Sequence, residues 1–135
     1  MRCMLDTNIL VSAALFPESV CAAAYMKAVV FPWRCVVCRY TLDELGRVFA
    51  AKFPHRLEAY AVFAALLAMS AEVVSVPPEG AAAQEEGRLR DATDRPILRA
   101  ALAADVDVLV TGDKGFLKAA LQRPKVVSAA GFLEI

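Results

Sequence analysis

The chain has 135 residues, 59% of them hydrophobic, and its 15 basic and 15 acidic residues leave a formal net charge of zero. That length suffices for one domain, 1–135, with a real core. The charge balance excludes a simple cationic nucleic-acid binder but admits a metal-dependent one, whose acids converge while its cations lie around them. A mean hydropathy of +0.49 is high for an ordinary globular chain and points to an apolar subunit or partner surface, such as that of a homodimer. The longest uncharged apolar stretch, Ala59 to Ala71, falls well short of the ~20 residues of a membrane span. Asp6 interrupts any leader-like pattern at the start, so a cytoplasmic protein with no membrane partner is expected.

In chain order, Arg2 to Leu5 is a short apolar run that ends in Asp6, Thr7 and Asn8, and it reads as a buried strand. Asn8 to Leu15 suits a short helix, and Pro17 opens another that runs to about Val29. Arg34 to Cys38 is a second strand. Thr41 caps a helix from Leu42 to about Lys52, with Leu42, Leu45, Val48 and Phe49 at helical spacing, and a further helix spans His55 to about Ser70. Glu72 to Val76 is a third strand, stopped by Pro77 and Pro78. Glu79 to Arg90 reads as loop with a possible helical turn. Asp94-Arg95-Pro96 opens the next helix, since proline is tolerated in a first turn. Val106 to Thr111 is a fourth strand, Asp113 starts a helix, Lys125 to Val127 is a fifth strand, and Ala129 to Leu133 closes the chain as a helical turn.

Strands alternating with helices imply an α/β fold: a three-layer α/β/α arrangement around a mostly parallel sheet of about five strands. Such sheets bind ligands at the carboxyl ends of the strands, near the point where strand order reverses. Four acids fall on that edge. Asp6 follows the first strand, Asp113 the fourth, Glu44 lies early in the helix after the second, and Asp94 starts the helix that leads into the fourth. Taken singly, each has a structural explanation. Thr41-Leu42-Asp43-Glu44 fits a capping box, while Asp94, Asp113 and Asn8 fit helix N-caps.

Convergence is what caps do not explain. Neighbouring carboxylates raise one another's pKa, and a helix amino end offsets at most ~2 kcal/mol of that repulsion. A divalent cation is the natural counter-ion, and ligands made only of oxygen favour Mg²⁺ or Mn²⁺ over Zn²⁺.

The run Met4-Leu5-Asp6-Thr7-Asn8-Ile9-Leu10, then Glu44, then Asp94 before a helix, then Val110-Thr111-Gly112-Asp113-Lys114, together resemble a PIN domain. More narrowly they are similar to the VapC-like toxins of bacterial and archaeal toxin–antitoxin pairs. The resemblance implies Mg²⁺- or Mn²⁺-dependent ribonuclease activity on one or two ions, an RNA substrate and an antitoxin partner that covers the apolar helices between Pro17 and Ser70. It maps a catalytic, metal-holding quartet onto Asp6, Glu44, Asp94 and Asp113, with Asn8 and Thr111 in support. Asp91 competes with Asp94 for the third place; spacing to Ile97 and Leu98 favours Asp94 and leaves Asp91 as support or substitute. Lys114, Arg95 and Arg39 are the candidate phosphate contacts.

Two other functions compete. A non-catalytic PIN-like RNA- or protein-binding module would be favoured by an incomplete quartet. An aspartyl-nucleophile phosphatase would place a second aspartate two residues after the first, where this chain has Asn8. The Cys35-Val36-Val37-Cys38 spacing suggests a metal or redox pair, but residues three apart on a strand point to opposite faces, so buried free thiols are expected. His55, the one histidine, is expected at the surface.

Overall fold

In the computed structural model, which describes residues 1–80 and 82–135, five short strands form one all-parallel sheet. They are β1 (Arg2–Leu5), β2 (Arg34–Cys38), β3 (Glu72–Val74), β4 (Val108–Val110) and β5 (Lys125–Val127), in the spatial order β3-β2-β1-β4-β5. β1 is central: Met4 lies opposite Val36 of β2 and Leu109 of β4. Alternation along the strands sends side chains to two cores. Cys3 and Leu5 of β1 face one, with Cys35 and Val37; Met4, Val36 and Cys38 face the other.

The first core is covered by α1 (Thr7–Leu15), α2 (Val20–Ala28), α3 (Arg39–Lys52), α4 (Leu57–Ser70) and the closing α8 (Ala129–Leu133), with Phe49 and Phe132 fully buried at its centre. The second is covered by α6 (Arg95–Ala103) and α7 (Lys114–Lys118), through Ile97, Leu98 and Phe116. The three-layer α/β/α expectation holds. No single helix is long and apolar enough to cross a membrane. The thiols of Cys35 and Cys38 are free, buried and in opposite cores, as strand alternation requires.

Several helix starts differ from the sequence reading, each for a local reason. α1 begins at Thr7, so Asp6 rather than Asn8 is its N-cap. α2 begins at Val20, because the Ser19 hydroxyl accepts from the Ala22 N–H at 3.1 Å and supplies the cap that Pro17 cannot. α3 begins at Arg39, before Thr41, and the Thr41–Glu44 capping box does not form. Thr41 is buried with its hydroxyl 3.3 Å from Cys38 Sγ. β3 stops at Val74, short of Val76, and the paired part of β4 starts only at Val108, after the chain emerges from the turn at Asp105. Within the expected loop 79–90, whose position 81 lies outside the described residues, Ala83–Glu86 forms a single helical turn, α5.

Chain order reverses between β1 and β4, since β2 and β3 build outward on one side and β4 and β5 on the other. The carboxyl ends of β1 and β4 therefore bound the crevice where this architecture places ligands.

Candidate active site

Asp6 leaves β1 and points into that crevice, where it is 4% exposed. Its Oδ1 accepts the Thr7 N–H at 2.7 Å and its Oδ2 accepts the Thr111 hydroxyl at 2.6 Å. Thr111, at the end of β4, also accepts the Asp113 N–H at 3.1 Å. Asp113 caps α7 by accepting from the Phe116 N–H at 2.9 Å. One fully buried hydroxyl thus ties together the exits of two adjacent strands.

From α3, Glu44 accepts the Thr7 hydroxyl at 2.5 Å. This contact takes the place of the capping box, and it draws the glutamate towards β1 instead of back to its own helix end. Asp91 caps a short 3-10 turn, Ala92–Asp94, accepting from the Thr93 N–H at 3.0 Å and hydroxyl at 2.7 Å. Asp94 closes that turn, caps nothing with its side chain, and is buried.

These residues line a cleft of about 170 Å³ bounded by Asp6, Thr7, Asn8, Glu44, Asp91, Asp94 and Asp113 with their immediate neighbours. No lysine, arginine or histidine is among its lining residues. Asp91, Asp94 and Asp113 each offer an oxygen within 4.8 Å of the others. The quartet expected from sequence is brought to one place, and Asp91 joins it, so both candidates for the third acid face the cleft.

Electrostatics follow from that geometry. Burial pushes the Asp94 carboxyl up to about 7, and repulsion from Asp113, Asp6, Asp91 and Glu44 adds to the effect. Burial likewise raises Asp6; the Thr111 and Thr7 hydrogen bonds oppose the rise, while Glu44 and Asp113 reinforce it. Asp91 is held below the usual carboxylate range by its two bonds from Thr93. The donor set is all oxygen, anionic and short of positive charge, which fits a hard divalent cation held by Asp91, Asp94 and Asp113 with Asp6 alongside.

The family model for the PIN domain matches residues 2–115. The chain belongs to the PIN domain family. Among curated proteins, none matches by sequence. The fold is similar to that of PAE2754 from Pyrobaculum aerophilum, at TM-score 0.70 and 18% identity, covering 99% of this chain and 93% of that one. It is also similar to a chain in VapBC2 from Rickettsia felis bound to a DNA fragment from their promoter, at TM-score 0.68 and 19% identity, covering 95% and 98%. A third is Mycobacterium tuberculosis VapC20, described as a Sarcin-Ricin loop cleaving toxin, at TM-score 0.62 and 14% identity, covering 88% and 95%.

Within this PIN domain the remaining sequence candidates are dispersed around the cleft. Asn8 is exposed on its rim. Lys114 is exposed in the first turn of α7, next to Asp113. Arg39 is exposed at the start of α3 and lines a separate hollow with Tyr40 and Asp43. Arg95 turns away from the acids, donates to the Leu89 carbonyl at 3.0 Å and lines another cavity. Sequence reasoning missed Thr7 and Thr93 as the donors that aim Glu44 and Asp91. For Thr93 the signal was its place two residues after an aspartate in a turn-forming run, the pattern of local side-chain bonding; for Thr7, whose partner is 37 residues away, the sequence carries none.

Proposed function

We propose that this PIN domain is an endoribonuclease dependent on Mg²⁺ or Mn²⁺ and acts as the toxin of a toxin–antitoxin pair in the cytoplasm. The observation that carries the reading is the concentration of five carboxylates in one cleft with no cationic side chain in its lining. The names of the similar structures, VapBC complexes and a toxin that cleaves the Sarcin-Ricin loop, support the same direction.

Asp91, Asp94 and Asp113 would hold the ion, with Asp6 positioned by Thr111 and Thr7 to share it. When bound, a divalent ion lowers the pKa of water at the site and offsets charge on the phosphodiester. Glu44, oriented by the Thr7 hydroxyl, would accept a proton from the attacking water. Thr111 fixes the Asp6 carboxylate, so that the acids need no rearrangement as charge develops. Lys114, exposed beside Asp113 at the start of α7, would meet the RNA backbone. The Asp6 oxygens already accept two hydrogen bonds, and Asn8 occupies the position of a second aspartate. Both facts favour attack by water over an aspartyl-phosphate route.

The antitoxin surface in this reading is a groove of about 580 Å³ between α1, α2 and α4. Ala14, Tyr25, Met26, Val62, Phe63 and Leu66 line it, and Met26, Val62 and Leu66 are exposed. An amphipathic helix with apolar residues at three- and four-residue spacing matches such a groove.

The test is RNA cleavage by the purified chain with Mg²⁺ or Mn²⁺, abolished by EDTA. Asp6→Asn and Asp113→Asn are expected to keep a cooperative melting transition and lose cleavage. Cleavage at the wild-type rate by either variant would overturn the assignment.

A further inference from the structure

The Ala92–Asp94 turn has two sides. Asp91, Thr93 and Asp94 face the acidic cleft, whereas Ala92, Arg95 and Pro96 face a second cavity of about 360 Å³. Across that cavity lies a buried ion pair: Arg99 Nη1 donates to Glu86 Oε1 at 2.5 Å, with the side chains 10% and 8% exposed. Arg99 Nε donates to the Pro77 carbonyl at 3.1 Å, which locks the guanidinium in place. Arg95 donates through Nη2 to Leu89, but its Nε is buried without an acceptor, the one such side-chain atom among the described residues. Buried donors in folded proteins are nearly always satisfied; this Nε is closed to solvent and so to a ligand, and what Arg95 offers the cavity is the end of its guanidinium, where Nη1 has no partner among the described residues.

We propose that this cavity binds a guanine base of the RNA strand whose phosphodiester lies in the acidic cleft, a specificity site that rests on the ribonuclease reading above. Charge argues for a base over a phosphate. Glu79 and Glu86 balance Arg95 and Arg99 in the lining, so an anion would meet two carboxylates along with two guanidiniums. A neutral planar ligand with donors on one edge and acceptors on the next suits the set. Guanine places N1–H and N2–H side by side for the Glu86 carboxylate, and O6 and N7 side by side for a guanidinium fork. Uracil offers one N–H between two carbonyls, and adenine and cytosine offer a single amino group beside an acceptor. Ala83, Gly87 and Pro96 add small or apolar surface to the lining, against which an aromatic plane can pack. RNA is read in this way, through unstacked bases splayed into pockets, and the shared turn keeps such a pocket next to the cut.

Two measurements test the proposal. Titration of the full chain with 5′-GMP, 5′-AMP, 5′-CMP and 5′-UMP, followed through the arginine Nε–H resonances, should move Arg95 and Arg99 with GMP at about tenfold or more tighter binding than the others. Sequencing the ends cut from a random RNA pool in Mg²⁺ should show guanine at one fixed offset from the cut. Glu86→Gln should erase both preferences while cleavage of the mixed pool continues. Since that change disturbs a buried ion pair, Ala83→Phe, at an exposed position of α5, supplies a second variant that fills the space and leaves the pair intact. Equal response to all four nucleotides, the same shifts with inorganic phosphate alone, or a surviving guanine preference in folded Ala83→Phe would overturn the inference. If the chain cuts no RNA, the ribonuclease reading falls separately, and the nucleotide titration alone decides this one.

Discussion

Thr111 and Asp6, 105 residues apart in the chain, meet through a 2.6 Å hydrogen bond from hydroxyl to carboxylate, buried between the ends of β4 and β1. The same hydroxyl accepts the Asp113 N–H, so one side chain sets the relative position of two of the acids. Thr111→Val keeps the shape and removes the donor. Leaving a buried carboxylate oxygen without its partner costs about 1–3 kcal/mol, read as a lower urea midpoint. Loss of such a supporting partner weakens metal affinity by about 10–100-fold, which Mn²⁺ titration by calorimetry measures. Thr111→Ser should recover most of both.

The raised acids make stability depend on pH with a definite sign. With folded pKa values above their unfolded ones, Asp94 (about 7) and Asp6 keep protons that the unfolded chain has already released. Stability therefore falls as pH rises from the ordinary carboxylate range through 7. In EDTA the melting temperature should drop between pH 5 and pH 8, by roughly 5–10 °C, since one pKa unit is about 1.4 kcal/mol and each kcal/mol moves Tm by about 3–5 °C in a chain of this size. Mn²⁺ should raise Tm more at pH 8 than at pH 5, because it competes with those protons. A flat profile in EDTA would show that burial and mutual repulsion do not raise these carboxyls as described.

Asp94→Asn separates charge from packing more directly. The amide removes one buried negative charge and keeps nearly the same volume, so in EDTA at pH 8 the variant should melt higher than the parent. Mn²⁺ affinity should fall by about 100-fold or more, exceeding the loss typical of a supporting partner. Higher Tm together with lost metal binding would mark a residue kept for its chemistry at a cost in stability. Lower Tm in EDTA would mark it as structural.

Much of this was legible in the chain because sheet registry and strand burial leave strong patterns. β1, β2 and β5 fall where the apolar runs place them, and the acids at strand exits follow from topology alone. Asp113 caps α7 as expected; what failed was the assignment of the Asn8 and Thr41 caps. Thr41 and Glu44 match a capping box in sequence, yet Thr41 is buried against Cys38 and Glu44 bonds to Thr7, a residue 37 positions away. Local pattern cannot reveal a long-range competitor for the same carboxylate. Arg95, expected near the acids, lines the neighbouring cavity instead for a similar reason. The 3-10 turn rotates it to the opposite side from Asp94, and one residue of offset decides which cavity it serves.

The corrected caps carry their own prediction. Ser19 holds the start of α2 through Ala22, so Ser19→Ala should cost about 0.5–2 kcal/mol in chemical denaturation. Pro17→Ala, which removes nothing from that helix, should fall within about 0.5 kcal/mol of the parent. The reverse ranking would restore Pro17 as the helix start.

The groove between α1, α2 and α4 can be separated from the acids by paired variants. Val62 is 59% exposed on α4 and touches the groove, so Val62→Asp places a charge where an apolar partner helix would sit, with little effect on folding, within about 0.5 kcal/mol. Desolvating that unpaired charge on binding is costly. The variant should therefore cleave RNA at the parental rate yet escape inhibition by the protein encoded in the neighbouring reading frame. Asp113→Asn should show the opposite pair of results, no cleavage and undiminished binding of that protein in a pull-down. If Val62→Asp stays fully inhibited, the partner grips the PIN domain elsewhere, and the exposed face of Met26, Val62 and Leu66 needs another occupant.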